Sequence, residues 1–331
     1  MHIPSFSNSQ SQLPRRRRSC PSTLLRHLPL AGLILATLPV TVSAASWWNN
    51  AWLYRVPVTV QNASISATLP VRYSARLVTD VSLLVQAGQA LPSCADLRLI
   101  YFDGVANYEL DRVINNCATG HAEIWFSLQR SIPAGAADGN YFLYYGNPSA
   151  GAPLSNGMNV FLFYEDWESG STHWTGAGGL DPASTGVMGT SAIASDAALS
   201  TTRSQMFSQK GAGGDAFSGY IPVSPNTGYA ISVWATSATS AYFPVGFDPY
   251  SASHGRGSEV WLWTSEWTLS PQWTQRTASF TTGASTAYIK IKDEWWNEGP
   301  GTAPVHADNL VLRYALTAEP TVTQGPVDTG R

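Results

Sequence analysis

The sequence predicts an all-β chain built from two β-sandwich-like domains. Short segments in which apolar and polar residues alternate recur along the chain, and Gly, Pro, Asn and Ser residues separate them. Residues 45–150 show no helical period of useful length. The composition agrees, because 28 Gly and 21 Pro accompany 44% hydrophobic and only 12% charged residues. Such a chain is too apolar to be disordered, and it lacks the basic excess of a nucleic-acid binder.

The first 44 residues are predicted to be a signal peptide. Four arginines at 15–18 precede an apolar run over 28–42, and Val42 and Ala44 fit the −3 and −1 positions of a cleavage site. The alternative is a membrane anchor, but the run has about 15 residues, fewer than the ~20 that span a bilayer. We therefore expect a secreted, periplasmic or cell-surface protein with no membrane span after cleavage. The arginines leave open whether export is general or twin-arginine.

Export changes the charge of the chain. Removal of residues 1–44 takes away five arginines and no acidic residue, so 14 basic and 22 acidic residues remain and 14 − 22 = −8. An acidic exported protein disfavours anionic molecules as the main ligand.

Export also bears on the cysteines. Cys20 lies within the predicted signal peptide, which leaves Cys94 and Cys117. Two cysteines in an exported chain usually form a disulfide, and closing this loop would contribute ~3 kcal/mol. The alternative is a reactive thiol or a metal site, but no basic or metal-ligating cluster adjoins either cysteine.

The exported chain divides into two halves. Residues 45–150 hold alternating strand candidates and are predicted to be a β-rich domain. Residues 151–157 are small and polar and are predicted to be a linker. Residues 158–318 hold the second set of strand candidates, which short turns separate, as in a two-sheet sandwich. Residues 319–331 are predicted to be a tail.

Aromatic residues fall opposite the core positions on strands of the second half. Successive side chains of a strand point to opposite faces, so a core face at Tyr229, Ile231 and Val233 turns Trp234 away from the core. The same alternation in segments 241–247, 259–264 and 287–292 places further aromatic residues on the non-core face. These residues are Tyr242, Trp261, Trp263 and Tyr288.

Exposed aromatic rings of this kind suit sugar binding. Sugar rings have an apolar face that stacks on flat aromatic side chains, while their hydroxyl groups need polar neighbours. Trp296 follows the last of these segments and is predicted to be a rim contact or a hydrophobic plug. The alternative is that the rings pack against loops or against the first domain.

The first half resembles an exported bacterial family, domain of unknown function 2341. The resemblance spans roughly residues 47–150, and its motifs come in the family's order. They are Trp47-Trp48-Asn49, Trp52, Tyr54-Arg55, Val58-Thr59-Val60, Ala95-Asp96-Leu97-Arg98 and Tyr144-Tyr145-Gly146-Asn147-Pro148. The resemblance implies a β-rich extracytoplasmic module, often joined to lectin-like sandwiches or to proteins of energised envelope transport, and it implies no activity.

The second half resembles jelly-roll carbohydrate-binding modules of the xylan- and cellulose-binding type. The resemblance covers about residues 160–315 and rests on four motifs in order. They are Asp166-Trp167-Glu168-Ser169-Gly170 with Trp174, Gly228 to Ala235, Trp273-Thr274 with Ala278 to Thr281, and Asp308 to Leu312. It implies a jelly roll that binds a polysaccharide.

Acidic residues near the first and last strands of this half suggest calcium. Carboxylates and carbonyl oxygens are the ligands that calcium prefers. Glu165, Asp166 and Glu168 lie near the first predicted strand of this half, and Asp308 lies near the last one. The resemblance implies a structural calcium held by such residues, with Glu168 and Asp308 as the best match and Asp166 beside them. The alternative is a set of solvated acidic turns.

Three functions follow, and the first is favoured. It is a non-catalytic exported protein that binds a polysaccharide or other glycan through an aromatic platform on the jelly roll. The second is a structural or adhesive module that binds an envelope protein or a transport assembly. The third is a glycoside hydrolase on a sandwich fold, which needs two carboxylates at a set separation, with Glu266 as the first candidate. No nucleophile elbow or zinc motif supports another hydrolase.

Overall fold

A computed structural model of the chain describes residues 45–117, 120–170, 174–175, 190–199, 202–208, 214–238, 243–263, 272–295 and 303–329. The predicted signal peptide lies outside these residues. Residues 44–331 form one compact unit. Its described part is antiparallel β-structure with two short helices, which confirms the all-β prediction. No helix of this part is long and apolar enough to cross a membrane.

The N-terminal sandwich comprises residues 45–150 and one strand from the C-terminal end. Its elements are β1 (Tyr54–Gln61), β2 (Ser74–Asp80), α1 (Val81–Gln86), β3 (Arg98–Phe102), β4 (Asn107–Glu109), β5 (Val113–Asn115), β6 (His121–Ser127) and β7 (Ala137–Tyr145).

The C-terminal sandwich follows, with a last strand after it. Its elements are α2 (Gly157–Val160), β8 (Phe163–Glu165), β9 (Trp174–Thr175), β10 (Thr190–Ala194), β11 (Ser204–Ser208), β12 (Gly214–Ser218), β13 (Ile221–Pro222), β14 (Gly228–Ser237), β15 (Val245–Tyr250), β16 (Val260–Trp261), β17 (Thr274–Thr281), β18 (Tyr288–Trp295) and β19 (Val305–Tyr314). The last strand is β20 (Thr321–Gln324).

The N-terminal sandwich packs a five-stranded sheet, ordered β20-β1-β7-β3-β4, against a three-stranded sheet, ordered β2-β6-β5. Alternation in β1 buries Val56, Val58 and Val60 in the shared core, as the sequence predicts. Strand β3 is buried on both faces, because Trp52 and Tyr144 cover its outer side at Ile100. The tryptophan-rich segment 47–52 therefore belongs to the packing of this sandwich.

The predicted tail is wrong, because residues 321–324 form β20 in the N-terminal sandwich. Strand β20 pairs antiparallel with β1, with Val322 opposite Val60. Further along, the Asp328 and Arg55 main chains exchange hydrogen bonds of 2.8 and 2.9 Å, and their side chains form an ion pair. The chain thus returns to its first strand after completing the second sandwich.

The predicted linker is held at several points. The Arg98 guanidinium donates to the Gly151 carbonyl at 2.6 Å, and the Arg112 amide donates to the Leu154 carbonyl at 3.1 Å. The Asp111 side chain accepts from the Asn156 amide at 2.7 Å. The segment between the sandwiches is therefore anchored to the N-terminal one.

The C-terminal sandwich is a jelly roll, as the sequence predicts. One sheet has the order β10-β11-β19-β14-β17 with β8 beside β19, and the other has the order β16-β15-β18-β12-β9 with β13 beside β18. Successive strands repeatedly cross between the two sheets, which gives the jelly roll its antiparallel wrapping. The core holds the predicted Tyr229, Ile231 and Val233 from the first sheet and Phe247 and Ile291 from the second.

The predicted disulfide between Cys94 and Cys117 is confirmed. The two Cα atoms lie 6.2 Å apart, which is within the range of protein disulfides. The bridge joins the segment before β3 to the segment after β5. It therefore links the two sheets of the N-terminal sandwich at one end.

Candidate functional site

The outer face of the β16-β15-β18 sheet carries two of the predicted aromatic residues. Ile289 and Ile291 of β18 point into the core, so the alternate residues of this strand point away from it. The register of β15 and β18 places outward residues in pairs: Gly246 with Lys292, Asp248 with Lys290, and Tyr250 with Tyr288.

Trp261 lies at the β16 edge of this outer face. It sits opposite Gly246, where an added Cβ would come within 2.3 Å of the Val260 carbonyl oxygen, so only glycine lets β16 approach β15 this closely. The Lys292 ammonium lies 3.9 Å from the centre of the Trp261 ring. The indole N–H donates to Glu259 at 3.1 Å. Trp261 is therefore held in place from two sides and stays half-buried.

Four charged side chains lie on the outer face beside Trp261, namely Lys292, Glu259, Asp248 and Arg256. Lys292 is only 2% exposed, and its ammonium donates to a Glu259 oxygen at 2.5 Å. Asp248 is 1% exposed and accepts from the Arg256 guanidinium at 2.9 Å. The hydrogen bond from Lys292, opposed in part by burial, holds the pKa of Glu259 below its ordinary value. Asp248 and Glu259 thus each have a cationic partner.

Three tyrosines and a histidine form a tyrosine cluster on the other end of the face. Its members are Tyr220, Tyr250, His254 and Tyr288. The Tyr220 ring centre lies 4.9 Å from that of Tyr250 and 4.5 Å from that of His254. The His254 ring centre lies 4.9 Å from that of Tyr288. Tyr220 is 44% exposed, so the cluster presents a ring surface to solvent.

Trp234 lies away from this face. It projects from β14 in the other sheet, where a bulge interrupts the pairing with β19 between Ser232 and Trp234. Its outward side meets the N-terminal sandwich, and it lines a small cavity of about 20 Å³ with Trp125 and Tyr164. A single platform that includes both Trp234 and Trp261 is therefore wrong, because the two rings lie on opposite sides of the sandwich.

Trp263 departs from its predicted placement. Strand β16 ends at Trp261, so the alternation of faces does not continue to residue 263. The Trp263 side chain packs against the core of the C-terminal sandwich, and its amide donates to the Val245 carbonyl at 3.4 Å. Tyr242, Trp296 and the candidate acid Glu266 lie outside the described residues.

The predicted calcium ligands lie near one another but already accept hydrogen bonds. Asp308 is fully buried and accepts from the Leu199 and Asn309 amides at 2.9 and 2.7 Å, and its burial raises its pKa to about 7. Glu168 accepts from the Thr202 and Arg203 amides at 2.9 and 2.7 Å. Asp166 accepts from the Glu168 amide at 3.1 Å. Within the described ranges, no three His, Cys, Asp or Glu side chains are grouped to hold a metal.

Of the four members of the tyrosine cluster, the sequence predicts only Tyr288. The predicted segment 241–247 ends before Asp248 and Pro249, a turn-like pair, whereas β15 runs on to Tyr250. The Pro249 carbonyl accepts from the Gly257 amide at 2.8 Å, so the strand keeps a partner past the proline. Continued alternation from Phe247 would have placed both Asp248 and Tyr250 outward. Tyr220 precedes a two-residue strand and gave no periodic signal.

The family comparison matches part of the chain. A family model described as Domain of unknown function (DUF2341) matches residues 93–177, which confirms the resemblance but places it later along the chain than residues 47–150. The matched segment runs from before β3 to β9. No curated protein matches the chain.

Solved structures of similar fold include carbohydrate-binding modules. One is the C-terminal family 22 module of Clostridium thermocellum Xyn10B, with 14% identity over 48% of this chain and 96% of that chain and a TM-score of 0.35. Another is the CBM22-1-CBM22-2 tandem of Paenibacillus barcinonensis Xyn10C, with 14% identity over 80% and 79% of the two chains and a TM-score of 0.37.

Proposed function

We propose that this is an exported, non-catalytic protein that binds a polysaccharide on the outer face of the C-terminal sandwich. One observation carries the proposal. Trp261 and the tyrosine cluster lie on the same side of one sheet, and charged groups of both signs lie between them. Such a face offers rings for the apolar side of a sugar and polar groups for its hydroxyls.

The state of the acidic groups favours binding over catalysis. A glycosidase needs a carboxylic acid whose raised pKa keeps it protonated near neutral pH. The pKa of Glu259 is instead lowered by the Lys292 hydrogen bond. Asp248 is buried under Arg256, away from any sugar on the surface. Neither carboxylate of the face is placed to act as a general acid.

Export is supported by the disulfide and by the predicted signal peptide. Disulfides persist in oxidising compartments and are rare in reducing ones. The Cys94–Cys117 bridge therefore suits a secreted, periplasmic or cell-surface protein. An envelope protein as the partner, in place of a glycan, is the alternative that the binding test must separate.

Replacing Tyr220 by Ala should weaken glycan binding about tenfold while the fold survives, because a half-exposed ring contributes more to stacking than to the core. The measurement is calorimetry or gel retardation with soluble xylan, β-glucan and galactan. Trp261→Ala should weaken binding as well, but it also removes the ring above Lys292. Tyr220 is therefore the more discriminating variant.

Tyr108→Ala is the matched control, because Tyr108 is 50% exposed but belongs to the N-terminal sandwich. It should bind like the unmodified protein. Equal weakening by Tyr108→Ala and Tyr220→Ala would contradict the proposed face. If the unmodified protein binds no polysaccharide, the alternative function, binding of an envelope protein, is favoured instead.

We also propose a structural calcium near Asp308, which the sequence predicts. A ligand that binds only the folded state adds RT ln(1 + [L]/Kd), or ~2.7 kcal/mol at a hundredfold excess over Kd. A chelator should therefore lower the melting temperature, and Asp308→Asn should remove that difference while Asp103→Asn keeps it. Identical melting curves with chelator and with added calcium would reject the site.

A further inference from the structure

Among the described side chains of the outer face, the cationic ones outnumber the carboxylates. The cationic ones are Arg256, Lys290 and Lys292, and the carboxylates are Asp248 and Glu259. Arg256 pairs with Asp248, and Lys292 pairs with Glu259 at 2.5 Å. Among the residues that the structure describes, no carboxylate lies within ion-pairing distance of Lys290. The charge of Lys290 is therefore not offset by an ion pair with any of these described carboxylates.

The position of Lys290 places that charge within the tyrosine cluster. Lys290 stands opposite Asp248 in the sheet, but the Asp248 carboxylate already accepts from Arg256. The Lys290 ammonium lies 4.5 Å from the centre of the Tyr220 ring. The side chain is half-buried, which limits its freedom and partly removes it from water. An anion that binds there meets an ammonium held beside an exposed ring.

We infer that the tyrosine cluster selects glycans that carry uronic acids, with the sugar against Tyr220 and its carboxylate paired with Lys290. The inference rests on the proposed glycan-binding function and names its substrate class. The exported chain is acidic overall, which disfavours polyanions in general. Screening limits that repulsion to about 8 Å at physiological salt, whereas the Lys290 contact is direct. The fitting ligand is therefore a glycan with scattered carboxylates rather than a dense polyanion.

The test compares each polymer with its own carboxyl-reduced form. Glucuronoxylan, xanthan and gum arabic, in which uronic acids are scattered among neutral sugars, are each used before and after reduction of the carboxyl groups to alcohols, which leaves the sugar rings in place. The unmodified protein should bind at least one native polymer about fivefold more tightly than its reduced form, as a single partly exposed ion pair allows. Added salt should reduce this difference.

Lys290→Gln should bind the native and reduced forms equally, at the affinity that the unmodified protein shows for the reduced form. Arg76→Gln is the matched control, since it removes an exposed positive charge from β2 of the N-terminal sandwich and should keep the preference. Equal binding of native and reduced polymers by the unmodified protein would overturn the inference, even where Tyr220→Ala still weakens binding and the proposed function stands. Binding of none of the polymers, neutral ones included, would overturn both.

Discussion

Deletion of residues 319–331 should destabilise the N-terminal sandwich by about 5 kcal/mol, although the deletion lies at the far end of the sequence. The deletion leaves β1 without its neighbour β20 and removes hydrogen bonds that each contribute roughly 0.5–1.5 kcal/mol. It also removes Val322 from the core surface. Because whole domains are stable by only ~5–15 kcal/mol, this loss should unfold the sandwich or leave it marginally stable.

The deletion also breaks contacts between the sandwiches. The Tyr73 hydroxyl donates to Glu319 at 2.5 Å, and the Arg313 guanidinium donates to the same carboxylate at 2.8 Å. Burial and the neighbouring Glu319 carboxylate raise the pKa of Tyr73, which keeps its hydroxyl protonated as the donor. Loss of Glu319 leaves this buried hydroxyl without its acceptor, which adds to the cost of the deletion.

The measurement is urea unfolding, with amide exchange along β1 as the local probe. A shorter deletion, 329–331, keeps β20 and the Asp328 ion pair with Arg55 and should leave stability unchanged. Unchanged stability after the longer deletion would mean that β20 contributes nothing to the sandwich. A loss of stability confined to the C-terminal sandwich would contradict the assignment of β20 to the N-terminal sheet.

The prediction of a tail shows where reading a sequence locally reaches its limit. The valines of β1 alternate, so their burial could be predicted from their own segment. Strand β20 is four residues long, mostly exposed and framed by prolines, and its pairing with β1 joins residues more than 250 positions apart. Nothing in the segment itself marks such a partner. The structure supplies it.

The site shows the same limit at the level of faces. Alternation placed Trp234, Trp261 and Tyr288 away from the core, and all three do point outward from their strands. Alternation does not say which of the two sheets a strand joins. In the structure, the sheet that contains β14 turns Trp234 toward the N-terminal sandwich, whereas the sheet that contains β16 and β18 turns Trp261 and Tyr288 to the outer face.

Lys292 lies beneath Trp261 on the same face, and Lys292→Ala should destabilise the C-terminal sandwich by about 1–3 kcal/mol. The ammonium lies between Glu259 at 2.5 Å and Asp248 at 3.8 Å, and Trp261 covers it. Glu259 is half-exposed and stays solvated without Lys292, whereas the buried Asp248 loses one of its two cationic neighbours and keeps only Arg256, so the cost is part of that of a fully unpaired buried charge. Urea unfolding measures the effect. Lys290→Ala, on the same strand and face but without an ion pair, should change stability by only ~0.5 kcal/mol.

The pH dependence of the same variant identifies the partner. Lys292 lowers the pKa of Glu259 in the folded protein, so this pair stabilises the fold above the ordinary glutamate pKa of 4.5 and loses that contribution as the pH falls through the lowered value. The unmodified protein should therefore lose stability on acidification below about pH 4.5, and Lys292→Ala should lose less over the same range. Glu259→Gln, measured alongside, should reduce the acid loss in the same way. Parallel pH curves for the unmodified protein and Lys292→Ala would show that the pair does not form in solution.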